Sequence, residues 1–215
     1  MDELTRPQWD SAALITIDTQ ADTLDGQPLE IPGTSKAAGN IARLGAAFRA
    51  RGLPIVHVVR LYLADGTNAE PCRQAMATGP VPVLRPGTPG RLLAPGLLEE
   101  RTGTHPLDDQ LLLAGGVQAL GHDEAAIYKP RWGAFYGTPL DEHLRDAAVT
   151  TLVFTGCNFP NCPRTSIYEA SERDYRVLLV TDAVSGVYDR GIEELANIGV
   201  PSLTTDEVLA ELQAG

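Results

Sequence analysis

The chain has little cysteine, little histidine and a shortage of basic residues. Its three cysteines, Cys72, Cys157 and Cys162, are an odd number with no C-x-x-C pair. That excludes a closed disulfide framework or a zinc-type double pair, and leaves at least one thiol free. Only 17 Lys and Arg stand against 28 Asp and Glu, and the net charge of −11 argues against nucleic acid or an anionic membrane as partner. No apolar run approaches the ~18 residues that a membrane span needs. The opening MDELTRPQWD has no basic stretch followed by an apolar one, so no secretory leader is expected. A soluble cytoplasmic protein follows as the expectation. No G-x-G-x-x-G follows the first apolar run, and Gly87-Thr88-Pro89-Gly90 lacks the Gly-Lys-Ser/Thr ending of a phosphate loop, which disfavours a nucleotide site.

What is present is an alternation of apolar runs and helical stretches, the pattern of a parallel α/β sheet. At 215 residues, positions 1–215 fit one domain. Ala12 to Ile17 reads as the first strand, followed by a helix from a Ser35 cap to Arg51 with Ile41, Leu44 and Phe48 on one face. Pro54 to Val59 is a second strand and Ala125 to Tyr128 a third. Thr138-Pro139-Leu140-Asp141 reads as cap, N1 proline and N3 acid of a helix running to Asp146. Thr151 to Thr155 is a fourth strand, Val177 to Val180 a fifth and Pro201 to Thr204 a sixth. Helices fall between these last strands, one capped by Asp189 and the final one starting at Thr205. Between them, 61–121 is Pro/Gly-rich and lacks this rhythm, apart from pieces such as Leu111 to Ala114 expected at the sheet margin. An insertion of that length is usually functional, here a lid or a subunit contact.

Chemistry gathers at three strand ends. Asp18 follows the first strand, Lys129 the third, and Cys162 lies beyond the fourth, just before a helix predicted over Arg164 to Asp174. In an open parallel sheet such positions share one rim, where ligands bind. With Asn161 as cap type and Pro163 in the first turn, Cys162 sits at the positive end of a helix dipole. The dipole favours thiolate, so a thiol pKa below the free value of roughly 8.5 is expected. A carboxylate can take a thiol proton, a thiolate can attack a carbonyl, and an ammonium can hold the carboxylate ionised.

The motifs Asp18-Thr-Gln20-Ala-Asp22, Lys129-Pro-Arg-Trp132-Gly-Ala-Phe135-Tyr136-Gly-Thr138 and Thr155-Gly156, with Cys162 six residues beyond the glycine, occur in that order. Together they resemble the isochorismatase-like cysteine hydrolase family, which includes nicotinamidase and N-carbamoylsarcosine amidase. The resemblance spans about Ala12 to Ala183. It implies a three-layer α/β/α fold with a six-stranded parallel sheet in the order 3-2-1-4-5-6, assembled as a homodimer or homotetramer. It further implies an Asp18, Lys129, Cys162 triad hydrolysing a small-molecule amide (carboxamide, carbamoyl or lactam) through a thioester. A cis Cys157–Asn158 peptide, with the backbone N–H groups of Asn158 and Cys162 as oxyanion donors, belongs to the same implication. Metal-dependent relatives use an Asp-x-His pair, whereas here Val56-His57-Val58 has no second histidine nearby, so neither metal nor cofactor is expected.

Plainer roles compete for several of these residues. Cys162 alone would read as a small buried hydrophobe, Cys157 as structural and Cys72 as inert. His57, mid-strand, reads as a core histidine. Trp132, Phe135 and Tyr136 wall a pocket or pack at a subunit contact, and Gln20, Asp22, Arg60 and Tyr62 are candidates at the rim. Three other readings stay open, the first two being a vinyl-ether hydrolase and a thiol redox protein using Cys162 with Cys157. A non-catalytic scaffold is the third.

Overall fold

The first strand, β1 (Ala12–Ile17), is buried at all six positions, because both faces of the sheet are covered. Ala13, Ile15 and Ile17 pack to one side, Ala12 and Leu14 to the other. The computed structural model describes residues 3–98 and 107–214.

After β1 come α1 (Thr34–Ala50), β2 (Ile55–Val59), α2 (Gln74–Ala77), α3 (Asp109–Leu113), β3 (Val117–Gly121), β4 (Glu124–Tyr128) and α4 (Leu140–Asp146). The chain continues through β5 (Thr151–Gly156), α5 (Cys162–Ser171), β6 (Arg176–Val184), α6 (Asp189–Ala196), β7 (Ser202–Leu203) and α7 (Thr205–Ala214). The strands lie in the order β3-β4-β2-β1-β5-β6-β7. Leu140, Leu144, Ile167 and Leu195 cover one face of the sheet, and Ile41, Leu44, Phe48, Val208 and Leu212 the other. The result is a three-layer α/β/α sandwich.

The sheet has seven strands rather than the six expected. The addition is β3, which pairs antiparallel with β4 across the two-residue turn His122-Asp123, while every other pair is parallel. Of its five residues only Leu120 is buried, so this edge strand carries no apolar run to read. Leu111 to Ala114 does not pair at the margin. It belongs to α3, which the Asp108 carboxylate caps by accepting from the N–H groups of Gln110 and Leu111 at 3.1 and 3.0 Å. Two other caps differ: α1 starts after Gly33, where the Asp25 carboxylate accepts from the Gly33 and Ser35 N–H groups, and Tyr188 precedes α6. Helix α5 begins two residues early, at Cys162 itself, and β6 extends four residues past Val180.

The inserted segment 61–121 folds over the rim instead of remaining structureless, apart from 99–106, which lie outside the described residues. Gln20 and Asp22, both buried, tie it down. Gln20 Nε2 donates to the carbonyls of Arg60 and Arg91 at 2.9 and 2.6 Å, and the Leu84 N–H donates to Asp22 Oδ2 at 2.6 Å. Gly90 passes so close that a Cβ there would lie 1.9 Å from Asp22 Oδ1. Among the described residues no helix is long and apolar enough to cross a membrane.

Candidate active site

The chain crosses the middle of the sheet between β4 and β5, and β1 separates the two halves. This is the switch point at which open α/β sheets bind ligands. Gly156, the last residue of β5, has φ +117°, and a Cβ on it would lie 2.1 Å from the Ile17 carbonyl oxygen. Only glycine fits there. The Cys157 N–H then donates to that same oxygen at 2.9 Å, which draws the loop beyond β5 against the end of β1. Asp18 turns away from β1 at φ +48°, a left-handed conformation that aspartate tolerates better than most residues. The Cys157–Asn158 peptide is cis, and the Phe159 N–H donates to the Ser185 carbonyl at 2.8 Å. Cys162 opens α5. Its carbonyl accepts from Ser166 Oγ at 2.7 Å, and Ser166 Oγ accepts from the Ala134 N–H at 3.0 Å, which joins the helix to the loop after β4.

These turns bring the three strand-end side chains together. Lys129 Nζ lies 2.8 Å from Asp18 Oδ2, with the lysine side chain 1% exposed and the carboxylate 10%. The Cys162 thiol interacts with both side chains and borders the same pocket. Burial alone would push the Lys129 ammonium toward its neutral form, but Asp18 and Cys162 outweigh burial and raise its pKa, so it stays a cation. The thiolate expectation fails for Cys162. Burial first, and then the Asp18 carboxylate, push its thiol up to about 12 despite the opposing pull of Lys129. A fixed full charge beside the sulfur and the loss of water together outweigh the partial charge of a helix dipole. At neutral pH the sulfur is therefore protonated, with a carboxylate next to it that can accept the proton. Asp18 Oδ1 is buried without a hydrogen-bond partner among the described residues. The N–H groups of Asn158 and Cys162 likewise donate to no acceptor among the described residues.

Around the thiol is a narrow pocket. Of the residues suggested for it from sequence, Tyr62 and Trp132 line it, as does Arg60, whereas Gln20, Asp22, Phe135 and Tyr136 do not. Gln20 and Asp22 are spent on holding the inserted segment. Phe135 is packed in the core against Tyr175, with ring centroids 6.0 Å apart, and Tyr136 is 61% exposed. Sequence reasoning missed Glu70 and Arg73, which the inserted segment carries into the pocket wall, Glu70 just before and Arg73 at the end of a single 3-10 turn, Pro71–Arg73. Arg60, 3% exposed, forms an ion pair with Glu70 and lies 4.8 Å over the Tyr62 ring. His57 stands apart from this site. Its Nδ1 meets Thr16 Oγ1 and its Nε2 meets Glu124 Oε1, each at 2.8 Å, so both nitrogens are committed and neither is open to a metal or to a thiol.

The family model described as "Isochorismatase domain" matches residues 12–207. The chain belongs to the isochorismatase family. An isochorismatase family protein from Desulfovibrio vulgaris has a solved structure that superposes with a TM-score of 0.76, at 33% identity over 93% of this chain and 98% of that one. The ureidoacrylate amidohydrolase RutB of Methylobacterium radiotolerans is 31% identical over 189 residues, 85% of this chain and 66% of that protein. A protein of Arabidopsis thaliana named a probable inactive nicotinamidase is 29% identical over 213 residues, 95% of this chain and 98% of its own. Family membership thus carries hydrolase relatives that cleave amides, together with one named as inactive. For this isochorismatase-family chain the choice rests on its own side chains.

Proposed function

We propose that this protein hydrolyses the C–N bond of a small-molecule amide through Cys162, with Asp18 as the group that moves protons and Lys129 as its electrostatic partner. The observation that carries the reading is the 2.8 Å Lys129–Asp18 pair set beside a buried thiol at one pocket. Asp18 takes the thiol proton as sulfur bonds to the substrate carbonyl carbon, and the otherwise unused N–H groups of Asn158 and Cys162 receive the developing oxyanion. The C–N bond then breaks, and Asp18 returns the proton to the departing nitrogen. Water attacks the resulting thioester, giving one proton to Asp18, and cleavage of the C–S bond releases the acid and regenerates the thiol. Lys129 keeps Asp18 ionised between these transfers and favours negative charge on sulfur.

Intact-mass spectrometry of the protein mixed with carboxamides, carbamoyl compounds and lactams tests the reading. An acyl adduct confined to Cys162, absent from Cys162→Ala and accompanied by release of ammonia or amine, is expected. A Cys162→Ala variant that still turns over would overturn it and point to vinyl-ether chemistry without a covalent step. So would a broad panel giving neither adduct nor amine.

A further inference from the structure

Five charged side chains line the pocket: Asp18, Arg60, Glu70, Arg73 and Lys129. Four of them cancel. Lys129 pairs with Asp18 and Arg60 with Glu70, and the four side chains are exposed by no more than 10%. Arg73 is left over. Among the described residues no carboxylate forms an ion pair with it, and its guanidinium carbon lies 4.8 Å from the centroid of the Trp132 ring. A cation–π contact of that kind holds the guanidinium beside the pocket, and its planar fork of N–H donors matches the two oxygens of a carboxylate. Tyr62, on the same wall and 2% exposed, adds a phenol O–H donor. Burial keeps that phenol protonated by raising its pKa, against the opposing pull of Arg60 and Arg73.

We propose that the substrate carries a carboxylate remote from the scissile amide, and that Arg73 reads it. The proposal rests on the amidase reading and adds the charge of the substrate to it. The sheet rim supplies the groups that face the amide, and the inserted segment supplies the cation that faces the other end. The net charge of −11 opposes an anion at long range. Salt screens that field over about 8 Å, so the uncompensated guanidinium inside the pocket decides.

Binding separates this proposal from the reading beneath it. Two acids, N-carbamoylglycine and succinamic acid, and their neutral methyl esters are titrated by calorimetry into full-length Cys162→Ala protein, which cannot turn them over. At least one acid is expected to bind about tenfold or more tighter than its ester, the range of a charge-assisted hydrogen-bonded pair. Adding Arg73→Ala is expected to erase that preference, and Arg73→Lys to recover part of it, since a lysine keeps the charge without the fork. Equal binding of acid and ester in both pairs, undetectable binding included, overturns the proposal. A preference that survives Arg73→Ala overturns it too. Ammonia release from the acids by the unsubstituted protein is measured in parallel. If the acids bind as expected and no ammonia appears, the amidase reading fails while the carboxylate site stands.

Discussion

Cys157 Sγ donates a hydrogen bond to the backbone carbonyl of Asp18 at 3.1 Å. The second cysteine at the site therefore holds the backbone of the residue whose carboxylate faces the first. Burial raises its thiol pKa far above the ordinary range, with the Asp18 charge adding to the effect, and it is 1% exposed. A thiol held in that way attacks a partner sulfur slowly. Cys157→Ser is expected to keep hydrolysis within a few-fold of the unsubstituted protein, because a hydroxyl makes the same bond. Mild peroxide is expected to leave no internal disulfide by intact mass. A Cys157–Cys162 disulfide, or an inactive serine variant, would favour redox chemistry over hydrolysis.

The protonated state of Cys162 gives a signed test. The Asp18 carboxylate raises the thiol pKa and Lys129 lowers it, so removing the carboxylate charge shifts the titration downward from about 12. In Asp18→Asn the pH dependence of iodoacetamide labelling at Cys162 is expected to move down by about one unit or more. Labelling at neutral pH thus quickens while amide turnover falls about a hundredfold or more, since the group that accepts the proton is gone. The exposed Cys72 serves as the internal reference for labelling. Slower labelling, or turnover that survives, contradicts the geometry.

Removing the cation instead leaves a buried carboxylate without its partner. Lys129→Met is expected to lose about 3 to 5 kcal/mol of stability in urea unfolding, the cost of an uncompensated buried charge. The double variant Asp18→Asn with Lys129→Met should recover part of that loss, because no charge remains to desolvate. A single variant as stable as the unsubstituted protein would show that solvent reaches the pair.

Outside the pocket, Thr16, His57 and Glu124 form a buried chain across β1, β2 and β4, and the part-buried Arg49 of α1 extends it. Burial would raise the Glu124 carboxyl, but hydrogen bonds from Arg49 and His57 prevail and bring it down to about 2 from an unfolded value of 4.5. A carboxyl lowered on folding stabilises the protein above the unfolded value, and the contribution fades as pH falls through the folded one. Allowing for solvent screening, it amounts to roughly 2 kcal/mol. Glu124→Gln is expected to reduce the free energy of unfolding at pH 6 by about that amount and to flatten its slope between about pH 4.5 and 2. Parallel pH curves for the two proteins would refute this.

Asp18, Lys129 and Cys162 were legible because each ends or follows an apolar stretch that can only be a buried strand. Alternation of such stretches with amphipathic helices then places those ends at one rim. The edge strand β3 was not legible, since a strand with one buried residue has no apolar signature. Nor were Glu70 and Arg73. They sit in a segment whose course depends on Gln20 meeting the Arg60 and Arg91 carbonyls and on Asp22 meeting the Leu84 amide. Those are contacts between residues many positions apart, and no local pattern announces them.

The order of strands and helices, and the position of Asp18, Lys129 and Cys162 at the strand ends, follow from short-range periodicity and steric limits on the chain. Whether the sulfur holds its proton, which charges cancel and which one is left facing the pocket follow from burial and from distances between remote residues. Electrostatic energies depend on both, so only the folded molecule decides them.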